Sequence, residues 1–351
     1  MLMEEKKPLA PLTTFGIGGT ARWFVGATSE DEVVEATAWA REHGVALFVM
    51  GGGSNLLISD AGFDGLVLRV GLKGIEESSS PDHPEQKIFK VAAGEDWDEF
   101  VDCAVDADCA GIECLAGIPG TVGGTPVQNV GAYGQEVASA IERVRAFDLE
   151  QREFVELAAD ECGFAYRRSR FNSTDRDRYI VTRVDYRLTV GGAPTVQYAE
   201  LQKVLHQSQQ EGREFGLAEV SAVVRHLRLT KGMLMVEGDA DCRSAGSFFK
   251  NPLIAEEKAK QIAAGSEKEL PRYAAGAGQV KVPAAWLIEQ AGFAKGYALG
   301  RAGISSRHTL ALVNRGGATA TEVLALAEQI TGAVEARFGV KLEMEPVRVG
   351  F

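Results

Sequence analysis

The sequence predicts a mixed α/β fold, α+β in class, organised for its 351 residues as about two or three domains. Three observations carry that expectation. Strand-like and helix-like runs alternate from residue 21 to residue 190. Two glycine-rich segments, 51–53 and 117–134, follow apolar runs and break the periodicity. Beyond residue 231 the pattern changes to short strands between helices.

Residues 21–27, ARWFVGA, read as a strand. Residues 29–44 read as a helix: Ser29 and Glu32 form a capping box, Val33, Ala36 and Ala40 fall on one face, and Gly44 suits a left-handed end. Residues 45–50, VALFVM, are a second apolar strand, so the glycines of 51–53 close a β-α-β unit. An extended run at 66–76 leads into a polar stretch, 77–87, that reads as a surface loop. A strand at 88–94 and a helix at 95–108, with Trp97, Val101 and Val105 on one face, precede the second glycine-rich segment. Residues 141–148 and 179–190 then alternate as strands, and helical patterns return at 197–209 and 216–232. The segment 244–252, SAGSFFKNP, is followed by helices at 255–265 and 283–292, the latter with Pro283 at its first position. Residues 309–316 read as a strand. A long helix at 319–339 has a Thr319/Glu322 capping box and ends at Gly339. Residues 341–349, KLEMEPVRV, close the chain as a strand. The expected domains are 1–230, with two α/β subdomains of about 1–70 and 71–230, then 231–338, then a C-terminal strand at 339–351.

Charge excludes whole classes of partner. There are 37 Lys and Arg against 49 Asp and Glu, a formal net charge of −12. Such a surface repels nucleic acid and anionic membranes, yet a small anion needs only a local patch of amides and cations. The N-terminal residues MLMEEKKPLAPLTT hold no apolar core of signal-peptide length. No window reaches about 18 consecutive apolar residues. A cytoplasmic protein without nucleic-acid or membrane partners is therefore expected. The five cysteines, Cys103, Cys109, Cys114, Cys162 and Cys242, are odd in number and include no C-x-x-C pair. They read as reduced, mostly buried thiols, with no disulfide framework and no metal site. The five histidines are scattered without ligand spacing.

Several segments carry chemistry. The run Gly51-Gly52-Gly53-Ser54-Asn55 is either a tight turn or a cradle of backbone N–H groups for a phosphate or pyrophosphate. It is neither a Walker A loop nor a Rossmann fingerprint. Two such segments about 70 residues apart have the backbone to enclose a dinucleotide of FAD size. In SAGSFFKNP, Ser247 can donate a proton, act as a nucleophile or cap the turn, and no nucleophile elbow surrounds it. Lys250 and Asn251 add a cation and an amide to the same turn. FAYRRSRF places Arg167, Arg168 and Arg170 together, as a solvated basic surface or as a site where one guanidinium reads a carboxylate or phosphate. Glu343 and Glu345 share one face of the last strand.

Six segments in order make the chain resemble one family over nearly its whole length. They are TTFGIGG at 13–19, GGGSN at 51–55, GIPGTVGGTPVQNVGAYG at 117–134, FAYRRSRF at 164–171, AGSFFKNP at 245–252 and the terminal LEMEPVRV. The family is that of the UDP-N-acetylenolpyruvoylglucosamine reductases, also called UDP-N-acetylmuramate dehydrogenases. The resemblance implies an FAD-binding domain of the vanillyl-alcohol-oxidase (PCMH) type and a smaller α/β substrate domain. It implies FAD as cofactor and NADPH as hydride source. It also implies reduction of UDP-N-acetylglucosamine enolpyruvate to UDP-N-acetylmuramate, a peptidoglycan precursor, by a monomer whose partners are small molecules.

The resemblance also assigns residues. Gly51, Gly52, Gly53, Ser54 and Asn55 would cradle the FAD pyrophosphate, with Ile118, Pro119, Gly120, Thr121, Val122 and Gly123 and with Gly131, Ala132 and Tyr133. Arg167 would hold the substrate carboxylate, Ser247 would donate the proton, and Glu345 would assist in stabilising the enolate. Tyr198 matches the tyrosine of the substrate-side insertion and would cover the UDP group. Lys231, Asn251 and Gln290 would contact the diphosphate or sugar. The chain departs from the family pattern in a longer linker at 231–246 without an LPDP-like sequence, which bears on Lys231, and in a tail reading LEMEPVR where LEPEVR is usual. Counting from LE selects Glu345, with Glu343 in reserve. Two rival readings are another FAD oxidoreductase or oxidase of the same fold, and a non-catalytic nucleotide-sugar-binding module.

Overall fold

The computed structural model describes residues 1–80, 83–207 and 215–351. Contacts divide the chain into two compact units. The first is Met1–Lys7, Ala21–Gly53 and Asp64–Thr230; the second is Pro8–Thr20, Ser54–Phe63 and Lys231–Phe351. Residues 8–20 and 54–63, placed by the sequence reading in the first domain, thus make their contacts in the second unit, and so does the C-terminal strand.

In the first unit one sheet runs in the order Met3–Pro8, Thr20–Ala27, Phe63–Val70, Leu47–Met50, the last two parallel. The helix Glu30–Glu42 buries Val33, Ala36 and Ala40. Ser29 Oγ accepts from Glu32 N at 3.2 Å, but the Glu32 carboxylate turns to Thr28, so only half of the expected capping box forms. The second sheet is antiparallel, in the order Glu153–Ala158, Ile141–Asp148, Tyr179–Val190, Gln86–Ala92, Ile75–Ser79. The stretch 77–87, expected as a loop, therefore carries the facing ends of both strands of an edge hairpin, with Pro81 and Asp82 outside the described residues. Its first strand is exposed at every position, so no alternation marks it. The helix Trp97–Asp106 is capped by Asp96, which accepts from Asp98 N and Glu99 N; Trp97 and Val101 are buried and Val105 is half-buried. Helices Ala199–Gln207 and Leu217–Thr230 complete the unit, and the expected extension of the former to 209 lies outside the described residues. A single apolar core runs beneath both sheets, including Val33, Leu68, Phe89, Trp97, Phe100, Val184 and Tyr186.

The second unit holds two small three-stranded sheets. Its own core gathers Phe15, Phe248, Phe249, Leu287, Ile304, Leu326 and Ile330. The helix Ala320–Phe338 has the full Thr319/Glu322 capping box and ends at Gly339 with φ 62. Asp60 adds a second acidic cap, accepting from Ala320 N at 2.7 Å and Thr321 N at 3.0 Å. Pro283 is the N-cap of the helix Ala284–Gln290, not its first residue. The tail is a strand only at Val347–Val349, parallel to Leu56–Ile58. Pro346 has no N–H for a ladder, and upstream Met344 makes one isolated bridge with Phe249. Among the described residues no helix is long and apolar enough to cross a membrane.

Candidate active site

In the first unit the two glycine segments lie backbone against backbone. A Cβ on Gly51 would stand 2.6 Å from Thr121 Oγ1, and one on Gly52 would stand 2.6 Å from Gly120 Cα. Gly53 turns with φ 70. Neighbouring bonds fix the second segment: Trp97 N donates to Gly120 O at 3.1 Å, Val122 N to Glu95 O at 2.9 Å and Gly123 N to Ala93 O at 2.9 Å. The N–H groups of Gly52, Gly53, Gly120 and Thr121 have no partner among the described residues, and the Thr121 hydroxyl is buried with none. Donors without acceptors, lined by positions that admit no side chain and joined by one buried hydroxyl, fit an anion such as a pyrophosphate. Beside Thr121 opens a cavity of about 340 Å3 whose lining includes Arg69, Gly71, Lys73 and Gly94.

Gly131–Ala132 pairs with Gln135–Glu136 as a small hairpin whose corner is Tyr133, φ 49, and Gly134. A second tight turn, closed by Ala165 and Arg168, carries Arg167 at φ 53. Arg167 Nη2 donates to Gly131 O at 2.8 Å, and Asn172 Nδ2 donates to Arg167 O at 3.3 Å. Asn129, itself at φ 44, donates to Ala165 O at 3.0 Å and to the Glu136 carboxylate at 2.9 Å. Three non-glycine residues in left-handed conformation thus gather around one pair of loops, held there by side-chain hydrogen bonds. Arg168 is exposed and Arg170 pairs with Asp175 at 2.7 Å, which leaves Arg167 as the arginine joined to the Gly131 loop. Tyr133 and Tyr198 meet edge to face, ring centres 5.4 Å apart. Burial pushes the Tyr133 phenol up to about 12, so it stays protonated.

In the second unit three sequence-distant segments meet. Phe248 O accepts from Glu345 N at 2.9 Å, and Lys250 N donates to Glu343 O at 2.9 Å, so SFFKN and the tail are zipped together. Asn55 Nδ2 donates to Glu345 O at 3.3 Å, and Val347 N donates to Asn55 O at 2.9 Å. Thr14 Oγ1 donates to Ser244 O at 2.7 Å and reaches Ser54 O at 3.3 Å. Ser247, half-buried after Gly246 at φ 72, has no hydrogen-bond partner among the described residues. Glu343 is 72% exposed and pairs with Lys250, whereas Glu345 is half-buried. Asn251 Oδ1 accepts from Ala284 N at 2.9 Å and caps that helix; Gln290 is its last residue, with its carbonyl bonded by Arg337. Lys231 opens the last segment of the unit, half-buried. The long linker is ordered by Arg307, which pairs with Asp241 at 3.1 Å and also with Asp239. The Arg307 bond holds the Asp239 carboxyl below the usual range.

Sequence reading missed Thr14, whose bonds span 230 residues, and Arg228. The latter is buried in a helix and donates to Gly117 O at 2.8 Å at the start of the second glycine segment. Its only local signal is an arginine in an apolar stripe, and burial draws its guanidinium below the usual range. The five cysteines are free, and burial pushes the Cys114 and Cys162 thiols up to about 12.

Residues 21–153 match the family model described as FAD binding domain. With the glycine cradle, this defines an FAD-binding flavoprotein. Residues 238–349 match the model described as UDP-N-acetylenolpyruvoylglucosamine reductase, C-terminal domain. The enzyme of that name from Streptomyces coelicolor is 44% identical over 98% of this chain and 89% of its own length. The one from Thermobifida fusca is 44% identical over 98% of this chain and 97% of its own. The crystal structure of UDP-N-acetylenolpyruvylglucosamine reductase from Thermus caldophilus superposes with a TM-score of 0.64 at 27% identity, covering 99% of this chain and 98% of that one. The chain belongs to the UDP-N-acetylenolpyruvoylglucosamine reductase family.

Proposed function

We propose that this protein reduces UDP-N-acetylglucosamine enolpyruvate to UDP-N-acetylmuramate, with NADPH as reductant, as a cytoplasmic monomer. The observation that carries the reading is the joining of the Ser247 segment to the Glu345 segment by backbone hydrogen bonds in a chain that also has a glycine cradle. Bound FAD supplies the chemistry of hydride transfer, from NADPH to the enolpyruvyl carbon. Gly51, Gly52, Gly53, Ser54 and Asn55, with Ile118 to Gly123 and Gly131 to Tyr133, would hold its pyrophosphate. Arg167 holds the substrate carboxylate, where negative charge grows as the double bond is reduced. Ser247 donates its hydroxyl proton to the neighbouring carbon; with no partner among the described residues, that hydroxyl is available for the substrate. Glu345, fixed by its own backbone bonds to Phe248 and Asn55, assists in stabilising the enolate, and Glu343 is set aside by its ion pair with Lys250. Tyr198 covers the UDP group, while Lys231, Asn251 and Gln290 contact the diphosphate or sugar.

The test is the visible spectrum of the FAD-loaded protein under anaerobic conditions. The flavin band is expected to bleach with NADPH and to return on adding UDP-N-acetylglucosamine enolpyruvate. A band that returns only with oxygen would identify an oxidase of the same fold. A protein that takes up no FAD would overturn the cofactor assignment.

A further inference from the structure

Glu113 sits in the turn before the second glycine segment and is 0% exposed. Among the described residues its carboxylate forms no ion pair. Three neutral N–H groups hold it instead: Gly111 N donates to Oε2 at 2.8 Å, Thr195 N to Oε1 at 2.7 Å and Gln135 Nε2 to Oε1 at 3.2 Å. Gln135 Oε1 in turn accepts from Cys114 N at 2.9 Å, and Cys114 Sγ donates to Thr195 O at 2.9 Å. Burying a carboxylate is costly unless its bonds are made, so this ring ties three stretches of chain firmly together.

What the ring joins is specific. Gln135 directly follows the corner that carries Tyr133. Thr195 lies in the stretch 191–198, which has no helix or strand of its own and ends at Tyr198. Gln202 Nε2 adds a side-chain bond to the same stretch, donating to Val196 O at 2.9 Å. A Cβ on Gly134 would stand 3.5 Å from Gln197 Cβ, so the two loops are in contact where Tyr133 and Tyr198 meet.

We propose that Glu113 is a positioning residue for the UDP-sugar: by binding Thr195 and the side chain of Gln135 to one carboxylate, it holds Tyr198 in register with the Tyr133 loop. The proposal rests on the reading of Tyr198 as the residue that covers the UDP group. Glu113 itself touches no substrate, and its effect is routed through Tyr198.

The experiment measures KM for UDP-N-acetylglucosamine enolpyruvate, kcat and FAD content in the wild-type enzyme, Glu113→Gln, Tyr198→Ala and the double variant. Glutamine keeps the volume but turns an NH2 group toward an N–H donor, so one buried donor loses its acceptor, and KM should rise about tenfold. FAD content should fall by less than about twofold, because residues 51–55 and 118–123 keep their own bonds even if the Tyr133 loop loosens, and kcat should stay within about twofold, because Ser247 is untouched. On the Tyr198→Ala background the same change should add less than about twofold, since the group it positions is gone. Effects that multiply in the double variant would overturn the proposal and leave only a structural role. Tyr198→Ala with wild-type KM would remove the Tyr198 reading and this proposal with it, whereas a raised KM there and none in Glu113→Gln would remove the proposal alone. If Glu113→Gln does not fold, Thr195→Pro, which removes the amide donor and also fixes the backbone at that residue, is judged by the same outcomes.

Discussion

In the first unit the groups assigned to the cofactor are backbone amides exposed by glycine, whereas in the second the groups assigned to chemistry are two side chains, Ser247 and Glu345, carried on short hydrogen-bonded segments. The cradle depends on what is missing: a Cβ on Gly51 or Gly52 would stand 2.6 Å from Thr121 Oγ1 or Gly120 Cα. The second unit depends on what is fixed: Phe248 O, Lys250 N and Asn55 Nδ2 clamp the tail on either side of the Glu345 side chain. Binding a pyrophosphate calls for many weak donors in one place. Protonating a carbon calls for one group in one position. Damage to the two regions should therefore read out differently.

The largest effect should come from the second unit. Ser247→Ala is expected to leave FAD content and flavin reduction by NADPH near wild type, while slowing reoxidation by the enolpyruvyl substrate about a thousandfold, the scale of a lost general acid. Stopped-flow measurement of the two half-reactions checks this; normal rates in both would remove the proton-donor role. Next comes the cradle. Gly52→Ala drives a methyl group into the Gly120 backbone, where no flexible side chain can give way. FAD affinity should fall about a hundredfold by fluorescence titration, from overpacking and displaced donors together. Gly124→Ala is the control: its φ is −78 and a Cβ there meets nothing within 4 Å, so FAD binding should not change. Loss of FAD in both variants would point to general glycine sensitivity rather than to the contact.

Thr121 sharpens the comparison, because its hydroxyl is a side chain in the backbone cradle and is buried without a partner. Thr121→Val should weaken FAD binding about tenfold while leaving the apoprotein as stable or more so, since a polar atom without an acceptor is replaced by a methyl group. Calorimetry of the apoprotein and FAD titration together test this. A fall in both quantities would mean that the hydroxyl serves the fold instead.

Legibility in the sequence followed the range of the interaction. The Thr319/Glu322 box spans one helical turn and forms as expected, because capping is local. The strands Ile141–Asp148 and Tyr179–Val190 form over the expected ranges, although runs such as 180–182 and 184–186 are buried on both faces. The edge strand Ile75–Ser79 was invisible because both its faces meet solvent, and the tail shortened because Pro346 cannot donate to a ladder. At the site, the glycine runs and the arginine cluster at 167–170 stand out by composition, and the family resemblance selects Arg167. Thr14 with Ser244, and Glu113 with Thr195, do not, because nothing in either segment alone announces a partner 230 or 82 residues away.

The smallest expected effect separates scaffold from site in the first unit. Glu30 opens its helix and forms a bidentate pair with Arg145 at 2.8 and 2.9 Å, with Thr182 Oγ1 donating at 2.8 Å, so it ties the helix to the antiparallel sheet. The Arg145 bond, opposed by partial burial and aided by Thr182, holds the Glu30 carboxyl below its ordinary value of 4.5. The unfolded chain takes up this proton more readily than the folded one, so the pair stabilises fully above that value and its contribution drains away as pH falls through the folded pKa. The two side chains remain 26% and 31% exposed, which limits the gain to about 1 kcal/mol. Urea unfolding should show Glu30→Gln less stable than wild type at neutral pH, with the gap closing as pH falls below the ordinary glutamate value. A gap that stays constant across that range would assign the loss to packing rather than charge. FAD content should be unchanged throughout, because the pair braces the scaffold without touching the cradle.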